Sequence, residues 1–220
     1  MRAWRIIPEE RHLLYSPIGL RLIDDFSGRF PSGRVNAVAE ERDNGGIWYR
    51  AEIKAVITPS GVVTYPGLGR SARAAGQPTR RFRVSLETDY YCPRYLINAL
   101  AIEFDVHPYD DATPPAVVET HPQDVVLLPA VNYPFPAHVR VLRGVVADAG
   151  GTGIVNVEVR ESTRERVLTD ERGAFSLPLR WPAFDAAVLI DAIDHRSGQS
   201  GQININLPAD LSRGQTITIM

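Results

Sequence analysis

The 220-residue chain is poor in the features that mark disulfide-bonded exported proteins, membrane proteins and nucleic-acid binders. Cys92 is its single cysteine, so an intrachain disulfide is impossible, which favours assembly in the cytosol. No window approaches the roughly 18 apolar residues of a membrane helix, and Pro8 and Glu9 interrupt the continuous apolar core that a signal peptide needs. The formal net charge of -2 argues against binding nucleic acid through bulk charge. We therefore predict a cytoplasmic protein with no signal peptide and no nucleic-acid or membrane partner.

Helical periodicity is also nearly absent, since only residues 93–101 have the length for a turn or two of helix. The chain instead contains short runs that alternate apolar and polar residues, each closed by Gly, Asp, Ser or Thr. Because strand side chains point to opposite faces in turn, such runs predict half-buried strands. The chain is therefore predicted to be all-β.

Residues 142–179 show this pattern most clearly. Val155 and Val159 lie on one predicted strand face, and the alternation resumes at 174–177 after a break. The break at 169–173 reads Thr-Asp-Glu-Arg-Gly, residue types that bond their own backbone or tolerate positive φ. The segment thus predicts a strand, a tight turn and a second strand.

Further strands are predicted at 18–23, 35–39, 48–57, 62–65, 80–88, 101–106, 125–128, 187–190, 203–207 and 216–220. Asn44-Gly45 predicts a hairpin with a type I′ turn, because this dipeptide supplies two positive φ angles. Residues 67–79 are small, polar and aperiodic, which predicts a mobile surface loop.

Proline divides the chain into three predicted parts. Residues 1–17 form an N-terminal arm, whose apolar residues pack either on their own domain or on a neighbouring subunit. Residues 18–136 form a β-rich domain that ends in a proline-rich linker, because proline fixes φ and removes a ladder donor. Residues 137–220 form a second β domain. We therefore predict two small β-sandwich domains in tandem.

An internal echo links the two predicted domains. Residues 32–38 parallel 152–158, and residues 56–62 parallel 167–173. The matched segments lie further apart in the first copy, with the extra residues in the Asn-Gly hairpin, where insertions are tolerated. A true duplication and a chance match between alternating strands are both compatible with these parallels.

The second predicted domain carries recognisable motifs. Residues 144–148 (GVVAD), 155–159 (VNVEV) and 169–175 (TDERGAF) resemble the carboxypeptidase regulatory-like domains, which are transthyretin-like sandwiches of the prealbumin-like group. The resemblance covers roughly the last 80 residues. Residues 151–156 (GTGIVN) depart from the G-x-P-[IL]-x-x-A that usually follows the first strand of such domains. The resemblance implies a scaffold or binding accessory and implies no catalytic residues.

A looser resemblance extends over the whole chain. Residues 58–68 (TPSGVVTYPGL) and 132–136 (NYPFP) resemble accessory proteins of phage-tail-like contractile injection systems. This resemblance implies partners among sheath, tube or baseplate-like subunits and a protein incorporated into a particle that is assembled in the cytoplasm.

Candidate metal ligands and catalytic residues do not converge in the sequence. Asp105 and His107 share a strand face opposite the one that three apolar neighbours assign to the core, so we predict them to be solvated. Asp194, His195 and Ser197, with Asp191 and Ser200 nearby, have the residue types of a hydrolytic triad but lack a nucleophile elbow. Cys92 has no conspicuous base beside it, which predicts a buried structural thiol. No catalytic, metal or cofactor site is predicted.

The chain is predicted to act by binding partner proteins. Arginines cluster in and after the 67–79 loop, where they are either solvated or dock on an acidic partner. The candidate partner-binding residues are Trp4, Arg70, Arg73, Arg81, Arg83, Tyr133 and Phe135. The sequence thus favours a non-enzymatic structural or assembly component. The alternative is a carbohydrate- or cell-surface-binding module that uses Trp48, Tyr49, Trp181 or Phe184 as stacking platforms.

Overall fold

The computed structural model describes residues 14–115, 121–161 and 164–220, and this part of the chain is all-β. Two short 3-10 turns, Arg94–Ile97 and Ala209–Ser212, are its only helical segments in the described ranges. The strands are β1 (Gly19–Asp24), β2 (Val35–Arg42), β3 (Trp48–Arg50), β4 (Val56–Ile57), β5 (Val62–Thr64), β6 (Arg80–Thr88), β7 (Tyr91–Pro93), β8 (Ile102–Val106), β9 (Gln123–Pro129), β10 (Val141–Ala147), β11 (Glu158–Glu161), β12 (Glu165–Leu168), β13 (Ala174–Pro178), β14 (Ala187–Ile193), β15 (Ser200–Asn206) and β16 (Gln215–Thr218). The predicted N-terminal arm lies mostly outside the described residues.

The first nine strands form one β-sandwich. A five-stranded sheet in the order β4-β5-β1-β9-β7 packs against a four-stranded sheet in the order β3-β2-β6-β8. Strand β6 illustrates why the sequence folds this way, because Phe82, Val84 and Leu86 are buried while Arg81 and Arg83 on the other face are not. The alternation predicted at 80–88 is therefore confirmed.

The last seven strands form a second β-sandwich. A three-stranded sheet in the order β13-β10-β16 packs against a four-stranded sheet in the order β12-β11-β14-β15. Val157, Val159, Phe175 and Leu177 are buried between the sheets, as their alternation predicts.

The two sandwiches share one connectivity. In each, the first strand pairs antiparallel with the fourth main strand and parallel with the last one, as β1 does with β5 and β9 and β10 does with β13 and β16. In each, the second strand pairs with the third and the fifth, as β2 does with β3 and β6 and β11 does with β12 and β14. Strand β7 is additional in the first sandwich, and the third strand is divided there into β3 and β4. This common order is what an internal duplication predicts.

The shared turn before β5 and β13 corrects the register of the internal echo. Gly61 N–H donates to Thr58 O (2.9 Å), and Gly173 N–H donates to Asp170 O (2.9 Å). Both glycines have positive φ, 79° and 75°. Thr58 therefore corresponds to Asp170, and not to Thr169 as the sequence parallel predicts. The turn geometry aligns Gly61 with Gly173, which shifts the alignment of the two segments by one residue.

The strand predicted at 48–57 is wrong as a single strand. Residues 48–50 pair with β2, whereas residues 56–57 pair with β5 in the other sheet. Between them the side chains still alternate, and Ile53 packs against the core, but residues 51–55 are not assigned to a strand. Alternation specifies which face is buried and leaves the choice of partner strand open.

The hairpin after β2 is not a type I′ turn. Gly46 has the positive φ (86°), whereas Asn44 and Gly45 do not. Gly46 N–H donates to Asp43 O (3.1 Å), and Ile47 N–H donates to Asp43 Oδ1 (2.7 Å). The Asp43 side chain thus closes a longer turn than the Asn-Gly dipeptide predicts.

The segment 67–79 is anchored, contrary to the prediction of a mobile loop. Ser71 N–H donates to Tyr109 O (2.9 Å), and Ala74 N–H donates to Asp110 Oδ2 (2.7 Å). These bonds hold the loop against the chain that follows β8.

Candidate interaction surfaces

The linker between the sandwiches is fastened to the first one by aromatic rings. Tyr133 Oη donates to the buried Asp24 Oδ2 (2.9 Å), and burial together with this carboxylate raises the pKa of Tyr133. The rings of Tyr133 and Phe135 lie 4.6 Å apart, and each also contacts Phe26. Tyr91 completes the cluster at 5.5 Å from Tyr133. Tyr133 and Phe135, two of the aromatic residues predicted to bind a partner, are thus engaged within the chain.

Two arginines of the second sandwich hold the first one. Arg166 Nη2 lies 2.9 Å from Asp25 Oδ1, and this bond raises the pKa of Arg166. Arg180 donates to the buried Glu165 (2.5 Å) and to Phe26 O (2.7 Å), and its guanidinium stacks 4.1 Å from the Phe26 ring. Pairs of this kind add little net stability, because the cost of desolvating two charges offsets much of their attraction.

An apolar cluster seals the same junction. Leu168 of β12 is 1 % exposed and packs with Leu128 of β9 and with Ile97. Cys92 borders this cluster, where burial and then the charge of Asp170 raise the pKa of its thiol to about 11. A thiol with so high a pKa stays protonated near neutral pH and is a poor nucleophile.

The predicted arginine cluster is largely neutralised by carboxylates. Its ion pairs are Arg70–Asp111 (2.9 Å), Arg80–Glu41 (3.3 Å), Arg81–Asp105 (3.0 Å), Arg81–Glu103 (3.2 Å) and Arg83–Glu40 (2.6 Å). Arg83 also stacks on Trp48 at 4.6 Å. Arg73 lies exposed in the anchored loop, and Trp4 lies outside the described residues. The cluster therefore presents little net positive charge to a partner.

The triad-like residues serve a turn and an ion pair. Ser197 Oγ donates to Asp194 Oδ2 (3.1 Å), and His195 Nε2 lies 2.9 Å from Glu158 Oε2. Burial opposes ionisation of Asp194, but bonds from Arg196 and from the turn outweigh it and hold the pKa of Asp194 below its usual value. No bond joins the serine to the histidine, so the three residues do not form a catalytic relay.

The candidate metal ligands around β8, His107 and the neighbouring aspartates, are likewise engaged in hydrogen bonds and ion pairs. His107 Nδ1 lies 3.0 Å from Thr79 Oγ1, and Asp105 pairs with Arg81. Backbone N–H donors hold the pKa of Asp110 below its ordinary value. Within residues 14–115, 121–161 and 164–220 no group of three or more His, Cys, Asp or Glu is placed to hold a metal ion.

The surface edges carry the apolar residues that the fold leaves uncovered. In the first sandwich four of the exposed apolar residues, Ile47, Tyr49, Val56 and Ile57, lie on or beside the edge strands β3 and β4, and Leu14, Phe30 and Leu100 are exposed elsewhere. An open groove of about 290 Å³ lies between β2 and the chain at 50–57, where the third strand leaves β2. Edge strands with apolar side chains are templates for contact with another chain.

The second sandwich exposes a different aromatic pair. Trp181 is 57 % exposed and Phe184 is 68 % exposed in the connection between β13 and β14. The guanidinium groups of Arg164 and Arg180 lie 5.2 and 5.7 Å from the Trp181 ring. The sequence indicates both rings as stacking platforms, but it gives no sign of the arginines that flank Trp181, because they come beside the ring only in the folded chain.

None of the 3-10 turns in the described part of the chain is long and apolar enough to cross a membrane.

Comparison with known proteins gives distant likenesses. No family model and no curated protein matches this chain. Among solved structures, the Bacillus anthracis TIE protein is 12 % identical, with a TM-score of 0.30 over 94 % of this chain and 33 % of that one. The C-terminal fragment of pilus adhesin SpaC from Lactobacillus rhamnosus GG is 10 % identical, with a TM-score of 0.17 over 92 % of this chain and 95 % of that one. This chain thus spans a third of the TIE protein's length, and at these TM-scores neither likeness bears on fold or function.

Proposed function

We propose that this protein is a non-enzymatic structural or assembly subunit that works through protein–protein contacts. The observation that carries the proposal is the junction, which fastens the two sandwiches through the Leu168 cluster, the Arg166–Asp25 pair and the Tyr133 bond to Asp24. A spacer of fixed angle is useful to an assembly, because it sets the distance between partners that bind at either end.

The uncovered edges supply the contacts. Val56 and Ile57 on edge strand β4 are 47 % and 45 % exposed, and Ile47 and Tyr49 lie beside β3. Ser197 and His195 bond to Asp194 and Glu158 and not to each other, and the Cys92 thiol is buried in apolar packing. These arrangements support a non-enzymatic role.

The setting we propose is a phage-tail-like contractile particle, with the second sandwich as its transthyretin-like scaffold module. The particle depends on the resemblance of residues 58–68 and 132–136, and the scaffold module on that of residues 144–148, 155–159 and 169–175. The partners are then sheath, tube or baseplate-like subunits.

Isolation of such particles from cells that make the protein tests this role. We expect mass spectrometry to find the chain at a fixed ratio to particle subunits, and we expect Leu189→Glu, at an exposed site on β14 of the second sandwich, to leave that ratio unchanged. A chain that is absent from the particles and monomeric when pure would contradict the proposal.

A second function is favoured by the exposed rings of Trp181 and Phe184. Two arginines flank Trp181, and sugar rings stack on exposed aromatic faces. A glycan array that shows binding lost in Trp181→Ala, but kept in Leu189→Ala, would support a carbohydrate-binding accessory module. Silence of the array would exclude it.

A further inference from the structure

The third strand of the first sandwich leaves a gap beside β2. Strand β3 pairs with β2 at Glu40–Arg42, and Ala51 N–H then donates to Ala39 O (2.9 Å). Beyond that bond residues 51–55 are not assigned to a strand, and β4 joins β5 in the other sheet. The part of β2 before Ala39 therefore pairs with β6 on one side and, within the described ranges, with no strand on the other.

The backbone of β2 points polar groups into this gap. In an antiparallel ladder, successive residues direct their N–H and C=O groups to opposite sides. Ala39 O faces the gap because it accepts from Ala51, so the backbone groups of Ala37 and Val35 have the same orientation. The buried Tyr65 donates its Oη–H to Ala37 O (3.4 Å), which agrees with that orientation. The N–H groups of Val35 and Ala37 thus have no strand partner in the part of the chain that the structure describes.

The gap is the open groove of about 290 Å³ noted above, which we call the β2 groove. Residues 35–39 of β2 form one wall, and residues 50–57 form the other. Ala37 and Ile53 are half-buried and pack against the core of the first sandwich, so the floor is apolar. An open strand edge above an apolar floor suits an extended segment, because its backbone continues the ladder while alternate side chains cover the floor.

Two cations line the outer wall of the β2 groove. Arg50 and Lys54 are both exposed, and neither forms an ion pair with another described residue. They lie four residues apart, so in extended chain their side chains point to the same side. In a chain of formal net charge -2, this wall is locally positive.

The carboxylates near the groove leave this charge in place. None of the described residues that line the groove is acidic. Glu87 of the neighbouring strand β6 accepts a bond from Asn36 Nδ2 (2.8 Å), and Glu52 is exposed between the two cations without lining the groove. Charge complementarity therefore favours an occupant with carboxylates on its outward side.

We propose that the β2 groove binds an extended acidic segment of a neighbouring subunit, which adds as a strand beside β2. The segment alternates apolar residues, which cover Ala37 and Ile53, with acidic residues, which face Arg50 and Lys54. This inference rests on the proposed assembly function and specifies the chemistry of the partner at one of its uncovered edges.

Hydrogen exchange of the full chain, read residue by residue by NMR, tests whether the edge is open. We expect the Ala37 amide to exchange at least about tenfold faster than that of Val38, whose N–H faces β6. Slow exchange at Ala37 would mean that another segment of this chain or a second copy already covers the edge, and it would overturn the proposal.

Fluorescence anisotropy with a labelled, N-acetylated octapeptide of alternating valine and glutamate tests binding. We expect half-saturation below about 1 mM and at least about tenfold weaker binding to the double variant Arg50→Glu, Lys54→Glu. The double variant Arg29→Glu, Arg73→Glu makes the same change in net charge at exposed arginines outside the groove and should bind like the wild type. No binding at about 1 mM, or equal weakening in the two double variants, would overturn the proposal.

A charge exchange sharpens this test. The corresponding peptide of alternating valine and lysine should bind the Arg50→Glu, Lys54→Glu variant more tightly than it binds the wild type. The reverse order would overturn the proposal.

Backbone methylation of the peptide separates strand pairing from charge attraction. The N–H groups of one residue type face β2, and those of the other type face away. N-methylation of the valines should therefore abolish binding while N-methylation of the glutamates preserves it if the added strand is antiparallel, and the opposite holds if it is parallel. Equal effects of the two methylations would exclude strand pairing and overturn the proposal.

Lys54 also allows the bound peptide to be located, because it is the only lysine of the chain. A carbodiimide should couple a peptide carboxylate to the Lys54 amine, and mass spectrometry identifies the product. Lys54→Arg should keep the binding and lose the coupling. Coupling confined to the N-terminal amine would overturn the proposal.

These outcomes are separable from that of the proposed function. A chain that occurs in particles but binds no peptide overturns the role of the groove and leaves the assembly role intact. A chain that binds the peptide but is absent from particles does the reverse.

Discussion

The first sandwich divides its third strand between two sheets, whereas the second sandwich keeps the corresponding strand in one sheet. Strand β12 pairs with β11 along its whole length, and its outward residues Arg166 and Leu168 are covered by the first sandwich. In the first sandwich, β3 stays with β2 while β4 pairs with β5, and Val56 remains exposed. One fold thus presents a covered edge and an open edge, so the packing environment and not the topology decides which edge is available.

The largest difference between the two sandwiches is expected for substitutions in the turn that precedes the fourth main strand, β5 in the first and β13 in the second. A Cβ on Gly173 would lie 2.3 Å from the backbone oxygen of Val146, whereas a Cβ on Gly61 would meet the side chain of the exposed Phe30 at 2.6 Å. Since φ is positive at both glycines, alanine strains both, but only the phenylalanine can move aside. We expect Gly173→Ala to cost about 3 kcal/mol or more and Gly61→Ala to cost about 1 kcal/mol.

Hydrogen exchange read by mass spectrometry resolves the two effects, because it reports on β13 and β5 separately. Equal loss of protection in the two sandwiches would mean that the surroundings of the two turns are interchangeable.

The covered edge should respond to truncation and the open edge should not. Leu168→Ala removes a fully buried side chain between the sandwiches, which costs about 3 kcal/mol. Val56→Ala at the corresponding exposed position should change the free energy of unfolding by less than about 0.5 kcal/mol at low protein concentration. Urea denaturation measures both. A Val56→Ala loss as large as that of Leu168→Ala would show that the open edge is packed within one chain.

The smallest expected difference between the two sandwiches is electrostatic and concerns Glu161 of the second sandwich and Glu41 of the first. It depends on pH. Glu161 lies opposite Glu165 across β11 and β12, and burial followed by the Glu165 charge raises the pKa of Glu161. One oxygen of Glu161 is buried without a hydrogen bond. Its counterpart Glu41 lies opposite Tyr49 and pairs with Arg80.

Because the raised pKa favours the protonated folded state, the contribution of Glu161 to stability is present below pH about 4.3 and is lost as pH rises through its folded-state pKa. Glu161→Gln should therefore add about 0.5 kcal/mol at pH 7, after allowance for solvent screening, and nothing at pH about 3.5. Glu41→Gln should instead lose about 0.3 kcal/mol at pH 7. Thermal unfolding at both pH values checks this, and a gain for Glu161→Gln at the lower pH would refute the assignment.

The alternation of apolar and polar residues predicts where the strands lie, but it predicts poorly which strands pair with one another. The alternation at 80–88 matches β6, and the Gly173 turn lies where the sequence placed it. The same alternation at 48–57 gave one strand where the chain uses two, because period-two spacing records the buried face and not the partner strand.

The candidate surfaces were harder to predict for the same reason. The sequence predicts that Arg81 is either solvated or docks on an acidic partner, because Glu103 and Asp105 come beside it only when β6 pairs with β8. Leu168 and Leu128 each fit the core of its own sandwich, and only the packing of the two sandwiches brings them together. Contacts between residues distant in sequence leave no periodic signal in either segment.

The parallel pairing of the first and last strands has a mechanical consequence. Strand β1 runs parallel to β9, and β10 runs parallel to β16, so the two ends of each sandwich leave it in opposite directions along adjacent strands. A pull along the chain therefore loads the hydrogen bonds between those strands in shear, all at once, and does not peel them apart one by one. Tension along the chain would therefore pass through each of the two sandwiches along its most resistant direction.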